Sequence, residues 1–355
     1  MTSPSVLFIG GTGTISSAAS RRALEEGHAV TLLNRGQSTL RPVAAGAEML
    51  VADVRDPASV TDALGGREFD VVVDMVAFTP EHVAQDIDLF TGRVGQYVFI
   101  SSASAYQKPP LRLPIIESTP LRNPYWQYSR DKIACEDLLV AEYRDSGFPA
   151  TIVRPSHTYD HTSIPLNGGW TAIDRMRRGA PVVLHDHGSS LWALTHARDF
   201  AVGFVGLLGN PHTIGSAIHI TSDELLSWTQ ITHLLADAAG VTPNIVHVTS
   251  EAIAAADPDM GAGHLGDRSH SMIFDNSLVK SLVPAFNPTI GFAEGAREIV
   301  DWYDAHPEQQ VVDPELDALF DRLAAGAAQL PGPFPSRRST PHPRLQSRGA
   351  ARGGG

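Results

Sequence analysis

Residues 5–16, SVLFIGGTGTIS, constrain the fold more than any other stretch of the chain. An apolar run ends in a cluster of glycines, and a helix-like segment, SSAASRRALEEG, follows at once. A glycine-rich turn between a first strand and a first helix lets backbone N–H groups approach a pyrophosphate at the positive end of the helix. The spacing is Gly10-x-x-Gly13-x-x-Ser16, with a small serine where a third glycine is usual. By itself this pattern also suits a tight turn that binds nothing, so residues further along must decide.

The next 140 residues repeat the strand-then-helix alternation. Strand-like runs fall at 6–9, 29–33, 49–52, 71–73, 96–101 and 150–153, and amphipathic segments near 16–26, 58–65, 80–90 and 128–146. The runs are rich in Val, Ile and Leu without alternation, as strands covered on both faces should be. The expected fold class is α/β, a Rossmann-type doubly wound parallel sheet with a smaller mixed α/β C-terminal substrate lobe. We expect the dinucleotide unit over 1–160 with a returning segment near 195–222, and an interleaved lobe over 161–325. The stretch RPSHTYDHTSIPLNGGW reads as loop, and 331–355, rich in Pro, Gly, Ser and Arg, as a disordered basic tail.

Charge and cysteine content narrow the function classes. The formal net charge is −12, and five arginines in the last 25 residues leave the rest near −17. Nucleic acid and anionic membranes usually call for a basic patch, so neither is the expected partner. A single cysteine, Cys135, excludes an internal disulfide framework. With no signal-like N-terminus and no apolar run of membrane-spanning length, the expected location is the cytoplasm.

At the end of the second strand, Leu33-Asn34-Arg35-Gly36 lacks the carboxylate that would hold ribose hydroxyls. Arg35 suits a 2′-phosphate, and hence NADP, or stacking on adenine. Asp53 follows the third strand, placed to accept from an adenine amino group. Further on, VFISSASAY at 98–106 precedes YWQYSRDKIACED at 125–137, which contains Tyr128-x-x-x-Lys132. That spacing puts both side chains on one helix face. With seven tyrosines and three lysines in 355 residues, chance supplies only about 0.06 such pairs. A free tyrosine ionises near pH 10, so service as a base near neutrality needs a shift of roughly 3 units, about 4 kcal/mol. Lys132 and an oxidised nicotinamide ring are two positive charges that favour the phenolate.

Together these segments, with IVRPSHTY and HDHGSSLWALTHARDFA, resemble an extended short-chain dehydrogenase/reductase of the NAD-dependent epimerase/dehydratase group, from Val6 to about His306. The resemblance implies Ser102, Tyr128 and Lys132 as the catalytic trio. Ser102 is chosen because the family's hydroxyl lies four residues before a tyrosine, here Tyr106. It also implies NAD or NADP held by Gly10, Gly13, Thr14, Ile15, Arg35, Asp53, Val54, Val76, Ala77, Lys132, Pro155 and His157. Substrate contacts are expected from Ser104, His157, Tyr159 and Trp192, and a homodimer through helices of the Rossmann unit.

The chain also departs from that pattern. The acid pair that the family's 4,6-dehydratases place after the catalytic hydroxyl is replaced by Ala103 and Ser104. An elimination would need other groups, such as Glu117, His157 or Asp160. Trp192 stands where sugar-nucleotide members carry a diphosphate-gripping arginine, and His264 or Leu265 near a second, with Arg268 close. Losing an arginine fork removes bidentate phosphate recognition, so the expected substrate is a small uncharged sugar, polyol or nucleoside. His185, Asp186 and His187 with His157 and His161 invite a metal, but no HExxH-type spacing supports one, and none is expected. The expectation is transient oxidation of a substrate hydroxyl with hydride return, for net epimerisation or dehydration. A plain NADP-dependent reductase is the enzyme alternative. A non-catalytic or RNA-binding relative is the alternative of another class.

Overall fold

The computed structural model describes residues 3–37 and 40–328. The basic tail expected at 331–355 lies outside the described residues. Six strands open the chain: β1 Ser5–Ile9, β2 Ala29–Asn34, β3 Glu48–Val51, β4 Phe69–Asp74, β5 Val94–Ile100 and β6 Ala150–Pro155. Four helices separate most of them: α1 Thr14–Glu25, α2 Pro57–Leu64, α3 Pro80–Phe90 and α4 Gln127–Ser146. These match the runs read from the sequence to within a few residues.

All six strands are parallel, and the strand Ala217–Ile220 adds alongside β6, so the order across the sheet is 217–220, β6, β5, β4, β1, β2, β3. The order reverses between β1 and β4, the topological switch point at which ligands bind in open α/β sheets. Both faces are packed. α1 and the helix Ala197–Val205 cover one around Phe8, Val73 and Phe204, and α2 to α4 cover the other around Val72, Phe99 and Leu139. Strand residues such as Val6, Phe8, Val72 and Phe99 are wholly buried, each worth roughly 1.5–3 kcal/mol against exposure.

A second core lies beyond the sheet's carboxyl edge. Trp170, Ile173, Trp228 and Phe292, from the helices Trp170–Arg177, Trp228–Ala238 and Phe292–Ala305, pack together with Trp192 of the short strand Leu191–Trp192. The segment after β6 is not all loop, as the sequence reading had it. β7, His157–Tyr159, pairs parallel with Leu194–His196, Thr158 opposite Thr195. Three residues are too few to show a strand period, so turn formers around them masked the pairing. Order also runs past residue 325, in the helix Pro314–Ala328.

Candidate active site

The glycine turn opens a cleft of about 500 Å³ at the switch point. Gly10 has φ +86°, and a side chain there would meet Val76 Cγ1 at 2.5 Å. Ser16 does what a third glycine does not: its Oγ accepts the Gly13 N–H at 2.7 Å and fixes the turn into α1. The first turn of α1 contains no acidic residue, so its unpaired N–H groups face the cleft without a competing anion. This cradle fits a dinucleotide pyrophosphate.

The cleft walls collect the residues read from the sequence. Gly10, Gly13, Thr14 and Ile15 form one side, Arg35 stands at the end of β2, Asp53 and Val54 follow β3, and Val76 follows β4. Asp74, buried at the end of β4, shapes the last of these turns by accepting from the Val76 and Ala77 N–H groups at 2.5 and 2.7 Å. Arg55 and Phe78 also line the cleft and escaped the sequence reading. Arg55 donates to the Val76 carbonyl at 2.5 Å and so braces the same turn.

Ala77, Lys132, Pro155 and His157 lie beyond this cleft, along the carboxyl ends of β4 to β6. Ser102 follows β5 in extended backbone, its Oγ accepting the Ser104 N–H at 3.1 Å. Its hydroxyl lies beside the Tyr128 phenol on α4. Burial holds that phenol above its usual range, while Ser102 favours the ionised form. One turn later Lys132 is 2% exposed, and Nζ donates to the carbonyls of Ala77 and Ile100, each at 2.7 Å. The ammonium also stands 4.8 Å from the Phe78 ring centre and 5.8 Å from that of Tyr128. Burial pushes its pKa down to about 8, so it is charged at neutral pH. The structure therefore brings the trio together at the sheet's carboxyl edge. A buried ion pair behind it, Arg154 to Glu136 at 2.5 Å, fixes β6 to α4.

The residues expected to touch substrate are distributed unevenly. Ser104 is buried and hydrogen-bonded to Ser102 at 2.9 Å and Ser129 at 2.8 Å, so it orients the Ser102 hydroxyl. His157 keeps 23% of its side chain exposed and sits edge-on to Trp192 at 4.6 Å. Trp192 is itself 1% exposed, with its indole N–H sealed in and unpaired. Tyr159 points into the second core against His196 and Phe292. Glu117 faces His219, and Asp160 is held by Arg41. His185 packs against His264, while Asp186 accepts from Ser250. Among the described residues, no three His, Cys, Asp or Glu side chains come together to hold a metal.

Three further groups at this edge carried no sequence signal as a set: Lys108, Asn123 and Asp267. They come from separate segments and meet only in the fold. Among the described residues no helix is long and apolar enough to cross a membrane.

The family model described as the NAD dependent epimerase/dehydratase family matches residues 6–221. The 2′-dehydrokanamycin reductase of Streptomyces kanamyceticus is 28% identical over 332 residues, 92% of this chain and 91% of its own. The chloroplast stem-loop binding protein of 41 kDa b from Arabidopsis thaliana is 28% identical over 255 residues, 68% of this chain and 65% of its own. Among solved structures, dTDP-glucose 4,6-dehydratase from Bacillus anthracis, in complex with NAD, superposes with a TM-score of 0.70 at 17% identity, over 86% of this chain and 98% of that one. With its glycine cradle and this match over more than half its length, the chain belongs to the NAD-dependent epimerase/dehydratase family, and it is an enzyme of that type.

Proposed function

We propose that the protein exchanges a hydroxyl and a carbonyl on a small sugar-, polyol- or nucleoside-like molecule, using Ser102, Tyr128 and Lys132. The observation that carries this reading is the placement of the Tyr128 phenol beside Ser102, one helical turn from a charged, buried Lys132. The nicotinamide dinucleotide, bound in the cradle, would supply the hydride chemistry. Tyr128 would take the proton from the substrate hydroxyl as the carbonyl forms, and return it in the reverse sense. Ser102, oriented by Ser104, would hold the same oxygen. Lys132, pinned by two carbonyls, would lend the positive charge that favours the phenolate.

For the net reaction, hydride return is favoured by the way Arg41 bridges the first turn of α1 and the segment after β7. Its guanidinium donates to Asp160 at 2.6 and 3.1 Å and to Thr14, the first residue of α1, at 3.0 Å. Such a bridge suits a retained cofactor, and hence transient oxidation for epimerisation or dehydration. The second reading is a reductase exchanging NADP each turnover, favoured by Arg35 and by the reductase relative that spans most of the chain.

The test is to denature freshly purified protein and quantify the released NAD(H) and NADP(H) by mass spectrometry. Near-stoichiometric NAD is the expected result. An empty cleft that binds added NADPH would replace the cycle by the reductase, and failure to bind either would sink the proposal.

A further inference from the structure

Asp267 is a carboxylate with one oxygen engaged and the other not. It lies in the short π-helical turn His264–Arg268 and is 4% exposed. Oδ2 accepts from His157 Nε2 at 2.9 Å. Oδ1 is sealed from solvent without a hydrogen-bond partner, and the wholly buried Lys108 ammonium stands 3.6 Å from it. Turns of this kind recur at functional sites because the irregular backbone must be held by its surroundings.

Here the turn is held against the trio. Asn123 Nδ2 donates to the Ser104 carbonyl at 3.0 Å and the Gly266 carbonyl at 2.7 Å. Gly266 leaves no room for a side chain, since one would lie 2.8 Å from Trp126 Cβ. The Trp126 ring in turn packs 4.9 Å from that of Tyr128. These contacts leave the Asp267 carboxylate close enough that its charge opposes ionisation of the phenol.

An ionised carboxylate only accepts, so His157 Nε2 carries the hydrogen and Nδ1 keeps the lone pair. Nδ1 makes no hydrogen bond among the described residues, and the edges of Trp192 and Trp228 hold the ring at 4.6 and 5.3 Å. Two cations, Lys108 and Arg268, face the Asp267 carboxylate and favour its ionised form. A base held in one tautomer by a buried acid is the arrangement that prepares a side chain for proton transfer.

We propose that His157, oriented by Asp267, is a second acid–base group of this site, acting on the carbon next to the carbonyl formed at Tyr128. The proposal rests on the hydroxyl–carbonyl reading above. Nδ1 takes a proton from that carbon. The C–H electron pair becomes a carbon–carbon double bond, and the carbonyl π pair moves onto oxygen, where the Ser102 and Tyr128 hydroxyls donate to it. A proton returned by solvent to the opposite face inverts the centre. Alternatively, collapse of this enolate expels a hydroxyl from the next carbon, the His157 imidazolium protonates it, and water leaves.

The test uses the full chain loaded with NADH in D₂O and a panel of inososes and keto-hexosides as probes. Two rates are followed on each probe: NADH oxidation, and deuterium entry at the carbon beside the carbonyl above the protein-free rate. We expect exchange on any probe that is reduced. We also expect the ratio of exchange to reduction to fall about 100-fold in His157→Asn and Asp267→Asn, the scale of a lost general base, and to recover partly in Asp267→Glu. A probe reduced by the unaltered protein without exchange overturns the proposal even if no variant folds. So does an unchanged ratio in both asparagine variants. If no probe is reduced, the hydroxyl–carbonyl reading fails first, and this one with it.

Discussion

In the proposed mechanism Tyr128 and Lys132 divide one task between a phenol that burial keeps protonated and an ammonium whose proton burial makes easier to lose. The direction of catalysis then fixes the sign of the pH dependence. On that reading, oxidation of the substrate hydroxyl requires Tyr128 to accept a proton, so kcat/KM should rise with pH as the phenol ionises. Reduction of a carbonyl would require Tyr128 to donate, and kcat/KM should fall through the same range. Tyr128→Phe removes both limbs and should lower kcat about 10³-fold while bound nucleotide stays near the unaltered level. Lys132→Met should move the inflection to higher pH, because the charge that favours the phenolate is gone. Rate profiles in both directions, with nucleotide content measured on the same samples, check all three expectations. A Tyr128→Phe variant with unaltered turnover would remove the phenol from the mechanism.

Among the elements, the turn between β1 and α1 has the least latitude. Gly10 holds φ +86° with Val76 Cγ1 2.5 Å from where a side chain would start. Gly10→Ala should therefore cost about 1–3 kcal/mol and lower the melting temperature. It should also leave less than half the nucleotide bound, since the Val76 wall of the cleft must move. A variant that keeps both melting temperature and nucleotide would show that the turn can relax. This element was legible in the sequence because its constraint is local: a buried strand, a forced positive φ and a helix start follow one another within a dozen residues. The spacing from Tyr128 to Lys132 was legible for the same reason, one helical turn. The groups that hold Asp267 and its turn were not. Lys108, Asn123 and His157 lie more than a hundred residues away from it, and no period or spacing links them. Trp192 and Tyr159 show the converse difficulty: their positions relative to the family's motifs could be read, but their burial in the second core depends on tertiary packing.

At the scale of the whole molecule, Arg41 ties the first turn of α1, beside the cofactor cleft, to the segment that follows β7. Its Nε and Nη2 reach both oxygens of Asp160, while Nη2 also reaches Thr14, Thr162 and Ser163. Both charged side chains are largely covered, at 12% and 9% exposed, so this is no surface ion pair. Burial opposes ionisation of Asp160, yet the Arg41 and Thr162 hydrogen bonds hold its carboxyl below the usual value. The Asp160 carboxylate is therefore ionised at neutral pH. A hydrogen bond to a charged group contributes about 1.5–3 kcal/mol, and every 1.4 kcal/mol is tenfold in an equilibrium. If opening of this contact precedes nucleotide escape, Arg41→Ala should speed release about tenfold or more. Asp160→Asn should do the same with Arg41 still present, which separates loss of the tie from loss of one cation near the pyrophosphate. Stopped-flow displacement of bound NADH, followed by its fluorescence, measures both. Release unchanged in both variants would mean that the cofactor leaves without loosening this contact. The case for a retained dinucleotide would then rest on the content of the purified protein alone.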